Sequence, residues 1–426
     1  MQLRREVGLW GAVLMGLGSI VGTGVFVSIG IGAEIAGPAV LLAILIAAGV
    51  ATANGLSSAQ LAVSHPVSGG TYEYGYKYLN PTLGFTAGWV FLLAKSASAA
   101  TAALGFGGYF LHLFGVTDPV LRTAVALAAL VVLTLVTLGG IRRSNRTNTV
   151  IVAMTLGVLG FFVLAGLPQA IGNAAENFVP FFVPQAGEGP LQALLHATAL
   201  MFVAYTGYGR IATLGEEVHD PQRTIPRAII VTLVVSMVLY VAVSSVAIAT
   251  VGAPQFAAFT TATAAPLEAI AQTYGIPGAG LILAAGAMTA MLGVLLNLIL
   301  GLSRVLLAMG RRGDMPAATA RIDPVSATPR VAVVVMAVTI GLLVLVGSVK
   351  LTWSFSAFTV LVYYAITNLA ALRLPANQRI FPRWIAWVGL AACLFLAFWV
   401  EMAVWVVGLA VIAAGLLARW VGKRRV

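Results

Sequence analysis

Two glycine-rich strings carry residues whose types and spacing could do chemistry. Gly18-Ser19-Ile20-Val21-Gly22-Thr23-Gly24-Val25-Phe26 and Ala204-Tyr205-Thr206-Gly207-Tyr208-Gly209 both interrupt apolar runs. Glycine lowers the cost of leaving helical geometry, and a helix broken at depth exposes amide N–H groups on one half and carbonyls on the other. The amides at the start of an outer half-helix suit an anion, and freed carbonyls suit a cation. An amino acid needs both kinds of partner. Its carboxylate would sit on the first string and its ammonium on carbonyls of both, with Ile20, Gly22, Thr23, Gly24, Val203, Ala204, Tyr205 and Thr206 as the candidate binding residues. The competing reading is that Gly22 and Gly24 only let helices pack closely, as small residues do in membranes. The matched second break favours a binding site.

Lys95 is the third chemical feature. It lies about 11 residues into an apolar run that starts near 84, or roughly 16 Å along a helix. A charged lysine in mid-membrane costs roughly 2.5 to 3.5 kcal/mol, so it should face the bundle interior or a water-filled cavity. Nothing acidic lies near it in sequence. Three roles compete: a buried amine that gains and loses a proton, because burial disfavours the charged form; a partner for an anionic part of the substrate; or a structural cap on carbonyls of the broken helices. All three place it beside the binding cavity.

The elements that must position these residues are membrane spans. With 60% hydrophobic and 9% charged residues, the 426-residue chain is too apolar for a water-exposed surface. Apolar runs able to cross about 30 Å of hydrocarbon recur throughout. Twelve are expected, at roughly 8–30, 38–63, 84–114, 119–139, 148–168, 191–214, 226–250, 279–309, 330–348, 352–374, 384–400 and 403–420. The first is too long for a signal-peptide core and should be retained.

Of the 24 Lys and Arg residues, all but Lys95, Arg122 and Lys350 fall on or beside segments on one side of this arrangement. They include Arg142, Arg143, Arg146, Arg223, Arg227, Arg311 and Arg312. That is the positive-inside bias, with both termini cytoplasmic. Topology therefore accounts for the net charge of +11, and nucleic acid is not an expected partner. The single Cys393 allows no intrachain disulfide, and His65, His112, His196 and His219 are too scattered for a zinc site. His196 reads as a satisfied interior histidine. No paired carboxylates or nucleophile-base set favours an enzyme, and no catalytic residue, cofactor or metal is expected.

These strings resemble the amino acid, polyamine and organocation permease superfamily, especially its cationic amino-acid transporter-like branch. Ile20-Val21-Gly22-Thr23-Gly24-Val25-Phe26 looks like the family's broken segment, and Pro66-Val67-Ser68-Gly69-Gly70-Thr71-Tyr72-Glu73-Tyr74 like its cytoplasmic turn. Glu216-Glu217-Val218-His219-Asp220-Pro221-Gln222-Arg223-Thr224-Ile225-Pro226-Arg227 is the most specific match, and Ser303-Arg304 with Asp314-Met315-Pro316 resembles the inner gate and its loop. The resemblance implies an all-α integral membrane protein of 12 transmembrane helices in the leucine-transporter fold. Its 5+5 inverted repeat comprises helices 1–5 (1–168) and 6–10 (169–374), followed by two peripheral helices and a basic tail (375–426).

It further implies a secondary active transporter of amino acids or related small amines. Alternating access would be sodium-independent and proton-coupled, or the protein would be an exchanger, in the cell (inner) membrane. The expected partners are a small-molecule substrate, the lipid bilayer and protons, with no obligatory protein partner. The alternative is a nutrient sensor on the same fold. Sodium-independent relatives often carry a lysine in helix 5 where this chain has Thr155, so Lys95, Thr155 and Thr289 are the candidate coupling positions. Relatives also place a large aromatic lid where this chain has Val203, and Phe202 and Tyr205 should point elsewhere at 100° per residue. No membrane-embedded acid appears for a cationic side chain, so that preference is not carried over. Glu216, Glu217 and Asp220 beside Arg223 and Arg227 could form an inner latch or a solvated loop.

Overall fold

The computed structural model describes residues 7–67, 69–139, 145–184, 187–212, 218–323 and 328–423. Expectations for Ser68, Arg142, Arg143, Glu216 and Glu217 lie outside them. Among the described residues every regular element is a helix, and the one extended pairing is an isolated bridge between Val7 and Val218.

Among the described residues, eight helical runs are long and apolar enough to cross a membrane: Gly24–Ser64, Pro81–His112, Pro119–Leu138, Thr147–Asn177, Pro221–Val251, Ala279–Arg311, Val349–Leu372 and Met402–Val421. Leu9–Ile20, Arg330–Val344 and Arg383–Trp399 are shorter apolar helices. The first expected span becomes α1 (Leu9–Ile20), a π turn (Gly24–Ser28) and α2 (Ile29–Ala36). Gly37, with φ of 61°, turns the chain before Pro38 leads into α3 (Val40–Ser64). A side chain there would meet the left-handed penalty and the Val183 side chain.

The short amphipathic α4 (Thr71–Tyr78) precedes α5 (Pro81–His112). Asn80 caps α5 by accepting from the Leu83 amide, and Pro81 occupies the first turn where no N–H is needed. This start is three residues earlier than expected and places Lys95 at the middle of the helix. Then follow α6 (Pro119–Leu138), α7 (Asn145–Asn177), α8 (Pro190–Tyr205), α9 (Gly209–Ala212) and α10 (Pro221–Val251). The expected division at 168 falls inside α7. Next come α11 (Ala253–Thr263), α12 (Pro266–Gln272), α13 (Ala279–Arg311), α14 (Arg330–Val344), α15 (Val349–Leu372), α16 (Arg383–Leu396) and α17 (Met402–Lys423).

The centre is built on small residues. Helix α5 packs along α13 and α15, with Gly88 against Met309 and Gly105 against Met291. Close backbone approach of this kind drives helix association where lipid tails are as apolar as the side chains. Side-chain links then hold the two ends of the bundle. At the end where α5 begins and α17 finishes, Asp314 accepts hydrogen bonds from Tyr72 (2.9 Å), Tyr76 and Arg419 (3.0 Å). Burial, and next the bond to Asp314, push both tyrosine hydroxyls above their ordinary range, so they stay donors. Arg223 and Asp220 form only an exposed surface pair at 3.7 Å. At the opposite end Lys350 pairs with Glu34 (2.9 Å), His112 with Glu268 (3.0 Å), and Arg122 donates to the Gly347 carbonyl (3.0 Å). The outer helices α11 and α12 pack on α2 and α13 respectively.

Candidate functional site

The two breaks lie side by side in the core. Helix α1 closes when the Val21 amide donates to the Leu17 carbonyl (2.7 Å), after which Val21 turns extended. The amides of Val25 and Phe26 both return to the Gly22 carbonyl, starting the π turn. Among the described residues, the amides of Gly22, Thr23 and Gly24 are left without an acceptor, and the carbonyls of Ser19 and Val21 without a donor. Thr23 is buried, and its hydroxyl also has no partner. Three free amides beside a free hydroxyl, at the start of an outer helix, make a donor-rich cradle.

At the second break Thr206 is engaged by the protein itself, although the buried Tyr208 hydroxyl has no hydrogen-bond partner among the described residues. Residues Thr206–Tyr208 form a 3-10 turn between α8 and α9. The Thr206 hydroxyl donates to the Val203 carbonyl (2.8 Å) and accepts from Lys95 Nζ (2.8 Å). Tyr364 donates to the Thr206 carbonyl (3.2 Å). Lys95 makes no ion pair among the described residues. Of the sequence alternatives, its geometry is a contact to a hydroxyl at the second break.

Tyr240 of α10 joins the breaks, its hydroxyl facing the Ile20 carbonyl at 2.9 Å and the Ala204 carbonyl at 3.1 Å. One O–H serves two acceptors, so the two break geometries are tied through a single group. The sequence reading did not single out Tyr240, because a tyrosine inside an apolar run carries no mark of partners 36 and 220 residues away. Tyr364 likewise belongs to the site, whereas Tyr363 receives the Thr71 amide (3.2 Å) and anchors the Gly69-Gly70 turn.

Both readings of the glycines are present in one geometry. A Cβ on Gly24 would stand 2.9 Å from the Ala204 Cβ, one on Gly22 would stand 2.7 Å from Val294, and one on Gly207 would run into the Ser19 carbonyl. The glycines thus bring the breaks together and also leave amides bare. Ile20, Val203 and Ala204 are buried at this junction. Tyr205 instead sends its hydroxyl to the Ile44 carbonyl (3.3 Å), and Phe202 packs edge-on to Tyr364 at 5.7 Å. Thr155 donates to the Ile151 carbonyl within α7 and Thr289 to the Ala285 carbonyl within α13, so neither hydroxyl donates to Lys95. Thr155 is buried on the α7 face that carries Asn148 and Val152, which pack against Gly18 of α1.

Comparison with known proteins places this arrangement among relatives. The model of the family described as amino acid permease matches residues 11–422. The chain is 39% identical to an uncharacterized transporter of Mycobacterium tuberculosis (strain ATCC 25618 / H37Rv), over 100% of this chain and 92% of that protein. It is 31% identical to a branched-chain amino acid permease of Bacillus subtilis (strain 168), over 78% of this chain and 72% of the relative. A vacuolar cationic amino acid transporter of Arabidopsis thaliana is 27% identical, over 77% of this chain and 56% of its own length.

Proposed function

The chain belongs to the amino acid permease family of the amino acid, polyamine and organocation superfamily, and from that premise we propose that its paired breaks are the substrate site of a secondary active amino-acid transporter. The reading rests on one observation: a donor cradle at Gly22, Thr23 and Gly24 adjoins a second break held by Tyr240, Tyr364 and Lys95. The substrate carboxylate docks on the cradle, where the helix start and three amides favour negative charge. Its ammonium takes the Ser19 and Val21 carbonyls. The substrate side chain lies beside Val203, which is buried at the junction and smaller than the aromatic lid of relatives.

Lys95 couples transport to protons in this proposal. While protonated it makes a charge-assisted bond to Thr206 and holds the second break; the neutral amine donates more weakly and can accept instead, and the break relaxes. Access alternates as the 5+5 repeat, helices 1–5 against 6–10, rocks around the site, with both termini on the cytoplasmic side of the cell membrane. Thr155 and Thr289 border this movement from α7 and α13. A neutral, aliphatic amino acid fits best, because among the described residues no acid bonds to the groups of the two breaks to receive a cationic side chain. No observation favours a sensor.

The test is a thermal-shift screen of the purified protein against the standard amino acids, followed by counterflow in proteoliposomes. A ligand that binds the folded state raises its apparent stability. Stabilisation by neutral amino acids, with saturable counterflow of the same compounds, is expected. No shift and no saturable flux for any amino acid would remove the reading.

A further inference from the structure

A second constellation lies away from the breaks, at the end of the bundle opposite Asp314. The start of α8 and the link between α16 and α17 enclose an open cleft of about 410 Å³. Its walls are aromatic, with Phe398 and Trp405 edge to face at 5.6 Å and Trp399 beside them. Its floor is charged. His196 is only 2% exposed and stands between two carboxylates, with Nδ1 3.3 Å from Glu188 Oε1 and Nε2 3.5 Å from Glu401 Oε2.

The cluster is not self-satisfied. The second contact lacks hydrogen-bond geometry, so His196 Nε2 and the Oε2 atoms of Glu188 and Glu401 are buried without hydrogen-bond partners. An imidazole donates from both nitrogens only as the cation. Even then two carboxylates outweigh one ring, and the cleft is net negative. Glu401 lies outside the spans; burial works against its ionisation, but the close His196 ring prevails and holds it down to about 2. It is therefore ionised at neutral pH.

We propose that this cleft is a second binding site, separate from the paired breaks, for a small organic ammonium ion. Carboxylate oxygens without donors need a cation with N–H groups, and aromatic faces attract the same charge. Three metal-ligating side chains do not converge on one point among the described residues, so an ammonium fits better than a metal ion. Pockets of about 300 to 1,000 Å³ suit small molecules, and this one has room for such an amine. Two sources carry that chemistry. One is a free amine in solution; the other is the headgroup of phosphatidylethanolamine, since Met402 and Phe398 at the rim are exposed and tryptophans commonly sit at the headgroup level.

The test uses the full-length protein in nanodiscs of phosphatidylcholine and phosphatidylglycerol, titrated with 2-phenylethylammonium chloride in a calorimeter. Saturable binding that weakens about tenfold or more in Glu401→Gln supports a free-amine site. Should Glu401→Gln fail to fold, Glu188→Gln and Trp405→Leu replace it. If the free amine does not bind, native mass spectrometry of protein from phosphatidylethanolamine-containing nanodiscs decides. Preferential retention of that lipid by the parent over Glu401→Gln supports the headgroup source. Binding of neither probe, or binding unchanged in the charge variants, overturns the proposal.

Discussion

The two breaks share a glycine-rich origin but differ in who completes them. At the first, amides of Gly22, Thr23 and Gly24 stay bare and the Thr23 hydroxyl is buried without a partner. At the second, Thr206 is engaged by Lys95 and Tyr364 and closes on Val203. An unsatisfied buried donor is costly, so it persists where something else completes it. On the proposed reading the first break serves the ligand, and the second answers to the protein's own groups. Tyr240 touches carbonyls of both breaks, and in the proposed function it is the tie through which filling one is felt by the other.

The strongest challenge to that contrast is Gly207→Ala. Its methyl would strike the Ser19 backbone, which cannot move without shifting α1, so overpacking at the upper end, about 3 kcal/mol or more, is expected. Melting of the detergent-purified protein should fall, with substrate binding lost. A normal melt would mean that the breaks are not in contact.

A smaller effect separates the tie from the local support. Tyr240→Phe removes the donor of two carbonyls and should lower stability by about 2 kcal/mol, whereas Tyr364→Phe removes one and should cost about 1 kcal/mol. Only the first should also weaken substrate binding, as read by ligand-induced thermal shift. Equal effects on binding would deny the tie.

The smallest change should show the contrast most cleanly. Thr23→Val removes an unpartnered hydroxyl, so the ligand-free protein should melt no lower, while substrate affinity falls about tenfold. Thr206→Val should do the reverse: it frees Lys95 and lowers ligand-free stability. If both variants behave alike, the two breaks are not functionally distinct.

Much of this was legible in the sequence for physical reasons. Glycine spacing marked both breaks, apolar run length marked the helices, and the 1.5 Å rise put Lys95 near mid-membrane. What was not legible depends on long-range partners. Tyr240 looks like any residue of an apolar run, and its role comes from two carbonyls on other helices. Arg419 and Asp314, 105 positions apart, meet only because α17 packs back on α5. His196 reads as an interior histidine until Glu188 and Glu401 are seen on either side. Helices α11 and α12 fall between the expected spans ending at 250 and starting at 279, and Pro254 and Pro266 stand in their first turns, where a helix tolerates proline.

The central claim is that Lys95 controls the second break by its proton while the ligand is held at the first. Lys95→Ala, with Lys95→Met keeping more of the side-chain volume, separates the two in one preparation: substrate binding by thermal shift, and accumulation in proteoliposomes under an imposed pH gradient. The account predicts that both variants still bind substrate and exchange it but no longer accumulate it with the gradient. Accumulation with the parent's pH dependence, in a well-expressed Lys95→Ala protein, would contradict it.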